Sequence, residues 1–96
     1  MTEEDIWESV EEYNFNPSPV EVTSNIPQDM EMVIRGYDKD GMAIEEVIRV
    51  PGDGTPARTE KEFSYALHPM PEPPILNYKL FLKFAKLVKW RKLNDK

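Results

Sequence analysis

MEMVIRGYDKDGMAIEEVIRV, residues 30–50, is the stretch whose reading decides the fold. Apolar and polar residues alternate on both sides of Asp38-Lys39-Asp40-Gly41, the period-two pattern of half-buried strands. Those four residues suit a type I turn followed by a left-handed residue, the three-residue hairpin loop with glycine last. Gly41 takes a positive φ without a Cβ clash, and Asp38 can accept hydrogen bonds from backbone groups further along the turn. This loop predicts a register. Tyr37 falls opposite Ala43, Arg35 opposite Glu45, Val33 opposite Val47 and Glu31 opposite Arg49; on the other face Met32 meets Ile48 and Ile34 meets Glu46. A four-residue loop would set Arg35 against Ile44 and Val33 against Glu46. Matched cross-strand pairs contribute roughly 0.2–1 kcal/mol each, so the first register wins. Met32, Ile34, Ile44, Ile48 and Val50 then line the core face. Glu46 is out of place among them: it either reaches solvent near an edge or presents a charge to a partner.

Outward from the hairpin, residues 19–23 alternate with Val20 and Val22 on one face and predict a short strand. Residues 25–29 and the glycine-rich 51–56 are loops by composition. Residues 62–67 predict another strand, with Phe63, Tyr65 and Leu67 together on the core side. His68-Pro69-Met70-Pro71-Glu72-Pro73-Pro74 predicts a stiff, extended spacer. Asn77 caps a basic amphipathic helix over residues 78–93, with Lys79, Lys83 and Lys86 on one face and Leu80, Phe81, Phe84, Ala85, Leu87 and Val88 over much of the rest. Leu82 and Trp90 widen that apolar arc. At the other end, residues 2–13 predict a short acidic helix with Ile6, Val10 and Tyr13 in a narrow stripe and Trp7 beside it. Its length is marginal for an isolated helix, so it docks on its own domain or on a neighbour. Residues 14–19 (NFNPSP) break it.

The chain has 96 residues, enough for one small domain. With 31% charged residues and a net charge of −6 it is no generic nucleic-acid binder. It contains no cysteine, which excludes disulfide and cysteine-based zinc frameworks. It holds no long apolar run of membrane-spanning length, and its acidic start is the opposite of a secretory or transit peptide. The charge is polarised: Glu3, Glu4, Asp5, Glu8, Glu11 and Glu12 at one end, Lys79, Lys83, Lys86, Lys89, Arg91, Lys92 and Lys96 at the other.

Motifs for chemistry are weak. The loop at residues 51–56 lacks the Gly-Lys-Ser/Thr ending and the following helix of a phosphate site. Asp38, Asp40 and Gly41 do not match the spacing of a calcium loop. His68 is the only histidine and has no companion placing it as base or ligand. The expectation is therefore a non-enzyme with no catalytic, cofactor or metal residues. The basic helix has four readings: cover for its own sheet, a ligand for a protein groove, an anionic-membrane anchor, or a nucleic-acid contact.

Residues 20–67 resemble small β-rich structural proteins of tailed bacteriophages. The resemblance is carried by Ile34-Arg35-Gly36-Tyr37-Asp38-Lys39-Asp40-Gly41, by Glu45-Glu46-Val47-Ile48, by Gly52-Asp53-Gly54 and by Phe63. Tyr37 departs from the pattern, which more usually has a small hydroxyl residue there. The resemblance implies a virion component: a capsid decoration, cement or tail-associated protein, assembled in the host cytoplasm. A small β-core with open edges agrees with a part stabilised by its neighbours.

Together these readings predict a mainly β fold, a small antiparallel β-sandwich or open barrel, with a short N-terminal helix or arm and a C-terminal amphipathic helix. The expected divisions are an acidic arm (1–17), a β domain (18–68), a proline-rich linker (69–76) and the basic helix (77–96). The expected function is non-enzymatic stabilisation of a virion assembly through the terminal arms, as a homo-oligomer or array on a major capsid or other virion protein. Ile6, Trp7 and Val10 would anchor one arm; Phe81, Phe84, Val88 and Trp90 would anchor the other, steered by Lys79, Lys83 and Lys86. The alternative is a cytoplasmic adaptor that binds a protein or an anionic membrane through the basic helix.

Overall fold

In the computed structural model, which describes residues 16–93, the chain runs β1 (Val20–Ser24), β2 (Met30–Tyr37), β3 (Ala43–Val50), β4 (Ala57–Arg58), β5 (Tyr65–Ala66), β6 (Met70–Pro71), α1 (Tyr78–Leu87) and β7 (Val88–Lys92). The fold is mainly β, with antiparallel sheets and a helix near the C-terminal end. One sheet has the order β4-β1-β7; the other has the order β3-β2-β5, with β6 also paired to β2. The expected helix over residues 2–13, and with it Ile6, Trp7 and Val10, lies outside the described residues.

The hairpin forms in the expected register, from Tyr37 opposite Ala43 to Met30 opposite Val50. The Asp38 N–H donates to the Met42 carbonyl (2.9 Å) and the Gly41 N–H to the Asp38 carbonyl (3.0 Å), which closes the loop. Asp38 Oδ1 accepts from the N–H groups of Asp40 and Met42, both at 2.9 Å. Gly41 has φ +78°, a conformation that favours glycine. Met32, Ile34, Ile48 and Val50 are buried and Ile44 is half-buried.

Two charges behave differently from the expectation. Arg35 does pair with Glu45 (3.0 Å), but Arg49 turns to Asp29 (3.8 Å) and not to Glu31 opposite. Asp29 is already drawn to this end of the hairpin by the Gly52 N–H (3.2 Å). Glu46 is half-buried and engaged within the chain. Its carboxylate accepts from the Glu60 N–H (2.8 and 3.0 Å) and the Lys61 N–H (2.8 Å), fastening the segment after β4 to β3. Hydrogen bonds to a charged group are among the stronger ones. Glu46→Ala is thus expected to lower stability by about 1–2 kcal/mol in urea unfolding, discounted for partial exposure. Glu46→Gln, which keeps one acceptor oxygen, should lose less.

The second sheet is organised by β1, whose Val20, Val22 and Ser24 are buried. It pairs with β7 from Val20 opposite Lys92 to Ser24 opposite Val88. This corrects the helix expected over 78–93. Val88, Trp90 and Lys92 alternate with the exposed Lys89 and Arg91, and β-branched Val88 suits a strand. Pairing satisfies one edge of β1, which a continued helix would leave open. Lys92 is buried, and its ammonium donates to the Ser64 carbonyl at 2.8 Å.

The strand expected over 62–67 is shorter and differently faced. Phe63 exchanges backbone bonds with Ser18 (2.8 and 3.2 Å), whereas the Ser64 and Leu67 N–H groups go to the Tyr37 and Arg35 carbonyls. That change of partner interrupts the alternation. Phe63, Ser64 and Ala66 are buried, while Tyr65 and Leu67 lie outside.

The proline-rich stretch is also no free linker. Pro69 and Pro71 are buried, Met70 and Pro71 pair with Val33 and Met32, and the Glu72 N–H donates to the Glu31 carbonyl (3.0 Å). Proline is tolerated on such a marginal strand because it needs no ladder N–H there. Met70 pairs with Val33, which is buried although it lies on the outer face of β2. A shared core draws Val20 and Val22 from β1, Met32 and Ile34 from β2, Ile48 and Val50 from β3, together with Phe63, Ala66, Phe84 and Val88.

Candidate docking face

The helix starts where the sequence says it should. Asn77 has extended backbone angles (φ −85°, ψ 122°), and its side-chain oxygen accepts from the Leu80 N–H at 3.1 Å, the geometry of an N-cap. No acid occupies the first turn, and Lys86 lies in the last, where a cation complements the helix dipole. Helix α1 turns Phe84 inward, with Phe81 and Ala85 half-buried beside it.

His68 joins this helix to the sheets. Its ring stands edge-on to Phe81 (5.5 Å between centroids), Phe84 (6.2 Å) and Trp90 (6.4 Å). Its Nδ1 is 2.8 Å from the Pro69 carbonyl oxygen; a carbonyl only accepts, so Nδ1 carries the proton. The geometry is that of a packing residue with one satisfied polar edge.

Of the residues expected to bind a partner, Phe84 and Val88 are buried in the chain's own core, and Phe81 and Trp90 are half-buried. Lys79, Lys83 and Lys86 are exposed. A different apolar set is available. Leu80 (54% exposed) and Leu87 (43%) lie seven apart on one side of the helix, and Leu76 (92%) precedes the Asn77 cap. Tyr78 and Leu82, four apart, are exposed on the opposite side of the helix, with Lys79, Lys83 and Lys86 between the two pairs. Leu80 and Leu87 border the buried side that carries Phe84, and the exposed lysines occupy the outer side. The signal was present in the leucine spacing.

Other features carry less chemistry. In the glycine-rich loop the Gly52 N–H goes to Asp29 (3.2 Å), the Gly54 N–H to the Ser24 carbonyl (3.1 Å) and the Thr55 N–H to Asp53 Oδ1 (2.9 Å). Hydrogen bonds from the Thr55 side chain and then its backbone hold the Asp53 carboxyl below its ordinary value. A carboxylate at the tip and donors already engaged oppose an anion site. A groove of about 400 Å³ is lined by Arg35, Gly36, Tyr37, Ala43, Ile44, Glu45 and Leu67; its only opposite charges, Arg35 and Glu45, pair with each other.

Among the described residues there is no group of three or more His, Cys, Asp or Glu side chains able to hold a metal ion. Nor is any helix among them long and apolar enough to cross a membrane. Comparison with protein-family models, with curated proteins and with solved structures gave no match.

Proposed function

We propose that this chain is a non-enzymatic structural protein that attaches to a larger protein assembly through the outer face of α1. The observation that carries the reading is the exposed Leu80 and Leu87 on the helix and Leu76 just before it, with Lys79, Lys83 and Lys86 along the outer side. Exposed apolar side chains grouped beside charges are a usual mark of an interaction site. With no acid in the helix's first turn and lysines along its side, the complementary surface is an apolar groove with an acidic rim. The two sheets are read as halves of a small sandwich that holds α1 out at its side, since both contribute to one core. The likeness of residues 20–67 to structural proteins of tailed phages supports a virion as the assembly and a capsid or other virion protein as the partner.

The test is a double substitution, Leu76→Asp with Leu80→Asp. Both side chains are exposed, so the fold should persist by circular dichroism. Co-sedimentation with assembled particles is expected to weaken at least about tenfold, the scale of losing central apolar anchors. Undiminished incorporation would sink the reading. Binding to anionic vesicles in place of particles would favour the rival adaptor role, for which the same leucines and lysines also suit.

A further inference from the structure

Among the described residues no strand pairs with the outer edge of β3, and we infer that it pairs antiparallel with β3 of a second copy, about a two-fold axis at Val47. This goes beyond the helix reading and does not depend on it.

Among the described residues β3 ends its sheet, with β2 on one side only. The direction of its free backbone groups follows from β2. The carbonyls of Glu31, Arg35 and Tyr37 accept from Glu72, Leu67 and Ser64, all on the side away from β3. In an antiparallel ladder the residues opposite such positions also point their N–H and C=O groups away from the partner strand. Those residues are Ala43, Glu45, Val47 and Arg49. One contact already uses this outward direction: the exposed Lys61 ammonium donates to the Glu45 carbonyl at 2.8 Å.

Protein edges are ordinarily protected by proline, lysine, bulges or short length. Strand β3 spans eight residues, AIEEVIRV, with neither proline nor lysine, and its ladder with β2 runs without a bulge. The edge of β7, the corresponding end of the other sheet, is protected: Lys89 and Arg91 are exposed along it, so two copies would repel.

The side chains select one register. Centring the pair on Val47 sets Val47 against Val47, and Glu45 against Arg49 of the partner, twice over by symmetry. Val47 is 53% exposed, apolar and otherwise uncovered on its face. Shifting the centre to Glu45 or Arg49 juxtaposes like charges, and shifting it to Glu46 sets Glu46 against itself. Centring on Ile48 brings no opposite charges together. The chosen ladder also ends naturally, because Ala43 then meets Pro51, which has no N–H to donate. Arg35 already pairs with Glu45, so each Glu45 would lie between two guanidinium groups, one from each copy.

Sedimentation equilibrium of the full chain over a concentration series tests this. The wild type is expected to dimerise reversibly. Glu45→Arg alone and Arg49→Glu alone each create two like-charge pairs, and each should weaken self-association by at least about tenfold. Mixing the two variants should restore the dimer, because every pair across the interface is then opposite in sign. The Leu76→Asp/Leu80→Asp chain should dimerise as the wild type does, which separates this edge from the helix face. The side chains at 45 and 49 are 62% and 69% exposed, so both variants should fold. If one does not, Val47→Lys sets two ammonium groups against each other on the axis and serves in its place. A wild type that stays monomeric at the highest concentration reached overturns the inference. So does a dimer indifferent to both charge reversals, or a mixture that fails to recover.

Discussion

Phe63→Ala is expected to lower the stability of the domain by about 3–5 kcal/mol, the range for emptying a buried aromatic site. Phe63 is fully buried and heads the largest buried side chains. It belongs to no named strand. Its backbone is tied to Ser18, while its ring enters the core shared by β1, β2, β3 and α1. A cavity there is hard to close, because the surrounding residues sit on two sheets and a helix whose positions are fixed by their own hydrogen bonds. Domains of this size have only about 5–15 kcal/mol in hand, so much of the population should unfold on mild warming. Urea unfolding followed by tryptophan fluorescence gives the number. A loss under about 1 kcal/mol would mean that the ring is not in the core.

Gly36→Ala is expected to cost about 3 kcal/mol or more, above the usual range for overpacking. A Cβ at Gly36 would fall on the Tyr65 carbonyl oxygen, with the Tyr65 carbonyl carbon 2.9 Å away and the Ala66 Cα 3.0 Å away. All three are backbone atoms, so no side chain can swing aside. Strand β2 must separate from β5, and two hydrogen bonds go with it: Ser64 N–H to Tyr37 and Leu67 N–H to Arg35. Amide exchange provides a local readout. In the variant the Ser64 and Leu67 amides should lose protection, while the Asp38 amide in the hairpin loop keeps its own. Unchanged protection at 64 and 67 would contradict the geometry.

The fold was legible in proportion to how local its causes are. The hairpin register follows from one turn and a period-two pattern, and residues 30–50 obey it pair by pair. Asn77 caps α1 because the capping bond spans three residues. What escaped depends on distant partners. Residues 88–92 carry enough apolar and basic character to extend a helix, and only the open edge of β1, more than sixty positions earlier in the chain, makes them a strand. The change of partner at Phe63, from Ser18 to the β2 carbonyls, is equally non-local and reverses the facing of Tyr65 and Leu67. Glu46 looked anomalous because its acceptors' donors, the amides of Glu60 and Lys61, have no sequence signature. At the candidate docking face the lysines were legible, but the apolar residues expected there, Phe84 and Val88, are those the domain keeps for itself.

The return of the chain into β7 changes what kind of handle α1 is. The helix is held before its start by the β6 pairing to β2, and immediately after its end by five residues laddered to β1. It cannot swing out and search space as a tail on a tether would. Its orientation relative to the β-body is settled before any partner arrives, so binding would forfeit little chain entropy. Every copy bound through this face would also present its sheets at the same angle to the surface beneath. Were the chain repeated on a lattice, as proposed above, that uniform bearing would matter as much as the strength of the grip.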